Sequence, residues 1–214
     1  MAMKGRIKGF ATCVPFNLPS TQSFIREMTL HWADTLQTLI VSLPMYITSG
    51  DIHTILTRCT KLKKFDCLVG RIINPSVHNW ETVPGPEMLY SIENGAGHGG
   101  GNWTCVGLEE FRMMFTDGRK VNAMDPILSL QEGWTVRAIN SVYQQIGRLT
   151  NLKDLAIGWW TTEDFAKCSN LDMSFQSGLV HMAGLKSLKT LDITYVRHVN
   201  IGMAEMQWMV ETWP

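Results

Sequence analysis

A ten-residue phrase occurs twice near the C-terminal end of this 214-residue chain. It stands as Leu149-Thr150-Asn151-Leu152-Lys153-Asp154-Leu155-Ala156-Ile157-Gly158 and as Leu185-Lys186-Ser187-Leu188-Lys189-Thr190-Leu191-Asp192-Ile193-Thr194. Both read L-x-x-L-x-x-L-x-I, and the second starts 36 residues after the first. Self-similarity at such a period marks a stacked architecture, in which no unit buries its apolar face alone. Weaker copies of the inner L-x-x-L-x-L pattern stand at Leu36/Leu39/Val41, Leu62/Phe65/Cys67 and Leu108/Phe111/Met113, with a degenerate one at Ile7/Phe10/Thr12. With Leu152/Leu155/Ile157 and Leu188/Leu191/Ile193 they make six rungs, at intervals of 29, 26, 46, 44 and 36 residues.

Alternation within each copy predicts short strands over 6–12, 36–42, 62–68, 108–114, 152–157 and 188–194. Helical spacing fills the intervals. Phe24, Ile25, Met28 and Trp32 share one face over 21–33, and Ile52, Ile55, Leu56 and Cys59 share one over 50–59. The strongest stripe, Val136, Ile139, Val142, Tyr143, Ile146 and Leu149, predicts a helix over 135–148. Ser177 is expected to cap a short helix reaching about residue 183. A last helix over 202–212 should turn Met206, Met209, Val210 and Trp213 inward.

Three intervals exceed the roughly 20–29 residues usual for this pattern, and insertions are expected in the two longest, at about 69–104 and 115–134. The first carries Pro75, Trp80, Pro84, Pro86 and the glycine-rich run 95–101, a composition that does not support regular structure. The expected fold is a single α/β solenoid domain over residues 1–214, of about six irregular repeats. A parallel sheet would line its concave side and helices its convex side. The chain opens on a strand and stops at Trp213-Pro214, where another strand is due. It is therefore expected to be a piece of a longer protein, or to have each open end covered by a partner.

Nineteen Lys and Arg balance nineteen Asp and Glu, which removes the electrostatic case for a nucleic-acid or anionic-membrane partner. No apolar run is long enough to span a bilayer, and Met1-Ala2-Met3-Lys4-Gly5-Arg6 lacks the apolar core of a signal peptide. An intracellular protein, cytoplasmic or nuclear, is the expectation. The five cysteines form no C-x-x-C. Cys59 and Cys105 each precede a repeat leucine by three residues, where Ala33, Leu149 and Leu185 stand in other copies, and Cys67 takes an inward strand position. They read as reduced, buried and structural.

Candidate chemistry is thin. Gly95-Ala96-Gly97-His98-Gly99-Gly100 matches G-x-G-x-x-G, but a dinucleotide site needs a helix opening directly after the glycines, and the next rung begins at Leu108. A loop is the favoured reading, with a nucleotide-binding enzyme using Gly95–Gly101 as the weaker alternative. The histidines (His31, His53, His78, His98, His181, His198) show no zinc spacing, and no serine sits in G-x-S-x-G. Asn102-Trp103-Thr104 fits the glycosylation sequon but reads as idle without a signal peptide. No catalytic, cofactor-binding or metal-binding residue emerges, and a non-enzymatic role is expected.

The outward strand positions say more. In a parallel stack they form rows: Lys63, Glu109, Lys153, Lys189; then Lys64, Glu110, Asp154, Thr190; then Asp66, Arg112, Ala156, Asp192. Opposite charges are expected to meet across the first two steps of each row, which would favour this register. Such a wall is a solvated surface first and a docking face second. Of eight tryptophans, Trp32, Trp208 and Trp213 fit apolar helix stripes. Trp80, Trp103, Trp134, Trp159 and Trp160 belong to insertions or strand ends, where contact residues for a partner are sought. The candidate partner-binding set is Lys64, Asp66, Glu110, Arg112, Asp154, Trp159, Trp160 and Asp192.

The runs Cys59-Thr60-Lys61-Leu62-Lys63-Lys64-Phe65 and Cys105-Val106-Gly107-Leu108-Glu109-Glu110-Phe111 resemble the ribonuclease-inhibitor-like leucine-rich repeats of F-box/leucine-rich-repeat proteins. The stretch from Leu171 to Pro214 is similar to fungal members of that group. The resemblance implies a protein–protein interaction scaffold, the substrate-recognition part of a ubiquitin-ligase adapter, whose ligase components would bind through regions outside this chain. No F-box is present. Gly70, Thr116, Trp160 and Val196 replace the Asn or Cys that usually stabilises the turn after each strand. Related solenoids also regulate small GTPases, which is the alternative role.

Overall fold

The computed structural model describes residues 7–12, 21–41, 49–67, 102–113, 136–157, 172–193 and 201–213. Its elements run β1 (Gly9–Thr12), α1 (Thr21–Trp32), β2 (Thr38–Val41), α2 (Ser49–Arg58), β3 (Lys64–Cys67), β4 (Glu110–Met113), α3 (Val136–Gly147), β5 (Asp154–Ile157), a 3-10 helix η1 (Leu179–Gly184), β6 (Thr190–Asp192) and α4 (Met203–Thr212). The six strands form one parallel sheet in chain order, β1-β2-β3-β4-β5-β6. The register follows the repeat: Thr38 pairs with Lys64, Lys64 with Glu110, Glu110 with Asp154 and Asp154 with Thr190. The rungs at Leu36, Leu62, Leu108, Leu152 and Leu188 therefore lie side by side in one sheet.

Backbone hydrogen bonds explain why the repeat leucines fall two residues ahead of the strands. The carbonyls of Cys59, Cys105, Leu149 and Leu185 accept from the N–H groups of Leu62, Leu108, Leu152 and Leu188 at 2.9–3.1 Å, closing a turn at each helix-to-strand junction. The first copy differs, since Leu36 donates to Trp32 rather than to Ala33. The carbonyl just before each strand then serves two donors. Lys63 O accepts from Glu109 and Glu110, Glu109 O from Lys153 and Asp154, and Lys153 O from Lys189 and Thr190. Each rung thus docks on the last through a forked acceptor, and slippage by one residue would strand these donors.

Alternation decides the faces. Leu39, Val41, Phe65, Cys67, Phe111, Met113, Leu155 and Ile157 are buried in the same apolar cluster as Ile52, Ile55, Leu56, Val142, Tyr143 and Ile146 of the helices. Helices therefore cover one face of the sheet. The stripes expected of α2 and α3 are borne out wherever their side chains are described; Phe24, Ile25 and Val136 fall outside the described side chains.

Three expectations need correction. Gly178, with φ of 99°, stands at the N-cap of η1; Ser177 instead donates its hydroxyl to Asp172 Oδ2 at 2.6 Å. Met206 and Val210 of α4 are exposed, at 53% and 80%. The helix is turned so that Trp208 packs edge-on against Phe175 (5.8 Å) and Trp213 (5.5 Å), because aromatic contact outweighs the aliphatic stripe. Finally, the first insertion ends sooner than expected. Trp103 is buried in the core, and Thr104 docks on α2 through its N–H to Leu56 O (3.0 Å) and its hydroxyl to Thr57 O (2.7 Å). The rest of that insertion, and the one at 115–134, lie outside the described residues.

Candidate functional site

The face of the sheet turned away from the apolar cluster carries the charged rows. Glu109 sits between two lysines, with Oε2 2.5 Å from Lys153 Nζ and Oε1 3.6 Å from Lys63 Nζ. In the next row Lys64 pairs with Glu110. The hydrogen bond from Lys153, and then the charges of Lys153 and Lys63, hold the Glu109 carboxyl below the usual carboxylate range; Glu109 in return raises Lys153. All of these side chains are 30–58% exposed, so they set the character of a wetted wall more than they stabilise the fold.

The expected alternation fails one step further on. Glu110 stands directly beside Asp154, two carboxylates on neighbouring strands, so opposite charges meet over both steps only in the first row. In the third row Arg112 lies between Asp66 and Ala156, with Asp192 beyond. Lys64, Asp66, Glu110, Arg112, Asp154 and Asp192 are thus brought together on strands β3 to β6. Trp159 and Trp160 lie outside the described residues, as does the glycine run 95–101.

Compared with known proteins, the chain matches no family model, no curated protein and no solved structure.

Elsewhere, polar groups serve the scaffold. Asp172 Oδ2 accepts from Ser174 (2.9 Å) and Ser177 (2.6 Å), while its backbone carbonyl accepts from the Tyr143 hydroxyl at 2.9 Å. Burial, and then the nearby Asp172 charge, push the Tyr143 phenol well above its ordinary value. This network ties the chain before η1 to α3. Among the described residues no group of three His, Cys, Asp or Glu side chains could hold a metal ion, and no helix is long and apolar enough to cross a membrane.

One structurally important residue was misplaced by sequence reasoning. Trp103 sits two residues before Cys105, as Thr57 sits before Cys59 and Gly147 before Leu149. That offset was the available signal, for it places Trp103 at the end of a helix-equivalent segment. Its backbone N–H donates to Gln145 Oε1 at 3.0 Å, and its ring packs on Phe111 at 5.6 Å.

Proposed function

We propose that this chain is a protein-binding scaffold of the leucine-rich-repeat solenoid type, with the sheet on its concave side, and that the charged face of β3 to β6 is where a partner docks. One observation carries the reading. The parallel register sets six ionisable residues, Lys64, Asp66, Glu110, Arg112, Asp154 and Asp192, from four rungs on one face, while helices cover the opposite face. Neighbouring strands present side chains about 4.8 Å apart, a spacing that suits the rigid display of polar contacts. By the resemblance noted above, the partner would be a protein delivered to a ubiquitin ligase.

Affinity capture from cell lysate tests this. Wild-type protein is compared with a double variant, Asp154→Lys with Asp192→Lys, whose melting temperature is checked first. A partner that depends on the face is retained by the wild type and lost from the variant; identical capture by both removes the docking role. Co-capture of a cullin-type ligase with the full-length protein, including any region beyond this chain, supports the adapter role, and its absence there leaves binding without that role.

A further inference from the structure

We infer that the open edge of β6 takes up a strand of a protein partner, laid parallel to it, with an acidic side chain beside Lys189 and apolar side chains beside Leu191 and Ile193. Such a strand meets backbone at the end of the sheet, not the six charged side chains of the docking face, so the two roles stand or fall separately.

Backbone direction comes first. Lys189 and Thr190 donate their N–H groups to Lys153 O at 2.7 and 3.0 Å, and β6 pairs with β5 alone among the described strands. In a trans peptide the carbonyl points opposite to the N–H that follows it, and along a strand this direction alternates. Lys189 O and both the N–H and C=O of Leu191 therefore face away from β5. Lys189 O holds the place of Lys63 O, Glu109 O and Lys153 O, each of which takes two donors from the next strand. Among the described residues no donor reaches it. An edge of this kind is a template for one more strand.

Side chains agree with the backbone. Leu39, Phe65, Phe111 and Leu155, the first inward residues of the four inner strands, are at most 1% exposed, whereas Leu191 is only partly buried. Ile193 is likewise half-covered where Val41, Cys67, Met113 and Ile157 are buried. Past η1, α4 sends Trp208 against Phe175 and Trp213 Nε1 to Met182 O at 3.2 Å. Met203, Met206 and Val210, at i, i+3 and i+7, form an exposed stripe turned away from Trp208. The end of the sheet is thus apolar on its helix side as well as unpaired along its backbone. An amphipathic strand beside β6 would cover Leu191 and Ile193 as each inner strand covers its neighbour.

Charge selects which strand. Glu109 lies between Lys63 and Lys153 on neighbouring rungs and pairs with both. Lys189 stands next to Lys153, which Glu109 already engages. It is exposed, and among the described residues no hydrogen-bond acceptor or carboxylate meets its ammonium. A carboxylate at the same position of an added strand would repeat the Glu109 pairing, whereas a lysine there would extend a run of like charges. The strand that fits reads apolar, acidic, any, apolar, any, apolar.

Two dye-labelled peptides, Leu-Glu-Thr-Leu-Thr-Ile and Leu-Lys-Thr-Leu-Thr-Ile, test the edge by fluorescence anisotropy at low salt. The first is expected to bind the wild type about fivefold tighter than the second, and Lys189→Glu to invert that preference without moving the melting temperature. In a parallel strand the amide of the second threonine meets Leu191 O, while that of the second leucine points away. N-methylation of that threonine should therefore weaken binding about tenfold, and N-methylation of that leucine should leave it unchanged. No binding at millimolar peptide, a preference that Lys189→Glu does not invert, or equal effects of the two methylations overturns the inference. Self-association in sedimentation that Lys189→Glu disperses would seat a second copy on the edge and overturn it as well. So would a full-length protein, including any region beyond this chain, that fails to bind the peptide this chain binds.

Discussion

The carbonyl oxygen of His181 occupies the place where a side chain on Gly147 would begin: a Cβ built there would lie 2.0 Å from that oxygen and 2.9 Å from its carbon. Gly147 ends α3, and the backbone of η1 passes directly over it. Ala would favour the helix by about 1 kcal/mol, but forced backbone displacement costs typically about 1–3 kcal/mol and sometimes more. Gly147→Ala is therefore expected to lose about 2 kcal/mol, seen as a lower urea midpoint at constant slope. A midpoint equal to that of the parent would show that α3 and η1 do not meet this closely.

Phe65 and Phe111 stack at 5.8 Å with their planes 23° apart, and the Trp103 ring lies tilted against Phe111 at 5.6 Å. All three are fully buried. Phe111→Ala should cost about 3–5 kcal/mol. A double-mutant cycle using Phe65→Leu and Phe111→Leu should return a coupling of about 0.5–1.5 kcal/mol, since the two rings touch across adjacent rungs. A coupling of zero would separate β3 from β4.

The order and register of the strands were legible because the repeat leucines and the alternating residues after them obey the same two constraints in each copy. A buried turn residue must precede the strand, and a period of two must follow it. Leu62, Phe65 and Cys67 satisfy both as plainly as Leu152, Leu155 and Ile157 do. Where two apolar faces compete, the pattern no longer decides. Of the stripe expected on α4, Met209 and Trp213 pack against the core and Met206 and Val210 do not; Trp208 takes the inner position instead, and nothing local reveals that Phe175, some thirty residues earlier, offers it a surface. Trp103 misled for a related reason: composition upstream of it suggested a loop, while its own packing belongs to the rung. The charged rows were legible as positions, and Glu110 beside Asp154, already visible in the row Lys64, Glu110, Asp154, breaks the expected alternation.

The cysteines should be chemically quiet. Burial pushes the Cys59 thiol up to about 11 and those of Cys67 and Cys105 up to about 12, with smaller contributions from Asp34, Asp66 and Cys59 respectively. At pH near 8 a thiol so raised is ionised to roughly one part in a thousand or less, and the thiolate is the reactive form. Iodoacetamide labelling followed by peptide mapping should find these three unmodified in the folded protein and modified in denaturant. Labelling of Cys59 or Cys105 in the native state would mean that the turns they close are open to solvent.

Acid should weaken the fold through two carboxylates held for different reasons. Glu109 is lowered from the ordinary 4.5 by the hydrogen bond and charge of Lys153, with help from Lys63. Glu205 is lowered first by its own backbone N–H, against the opposing effect of desolvation, and then by those of Phe175 and Gly202. A carboxyl that binds its proton less tightly when folded contributes stability above its unfolded value, and that stability is lost as pH falls through the folded one. Urea midpoints should therefore drop as pH is taken from about 6 to about 3, and Glu109→Gln and Glu205→Gln should each flatten the drop. Salt separates the two. The contribution of Glu109 comes from exposed charges and should shrink in molar sodium chloride, whereas that of Glu205 comes from backbone donors and should survive. A Glu205→Gln profile that overlays the parent at all salt concentrations would detach α4 from the chain before η1, where Phe175 N–H meets the Glu205 carboxylate at 3.4 Å.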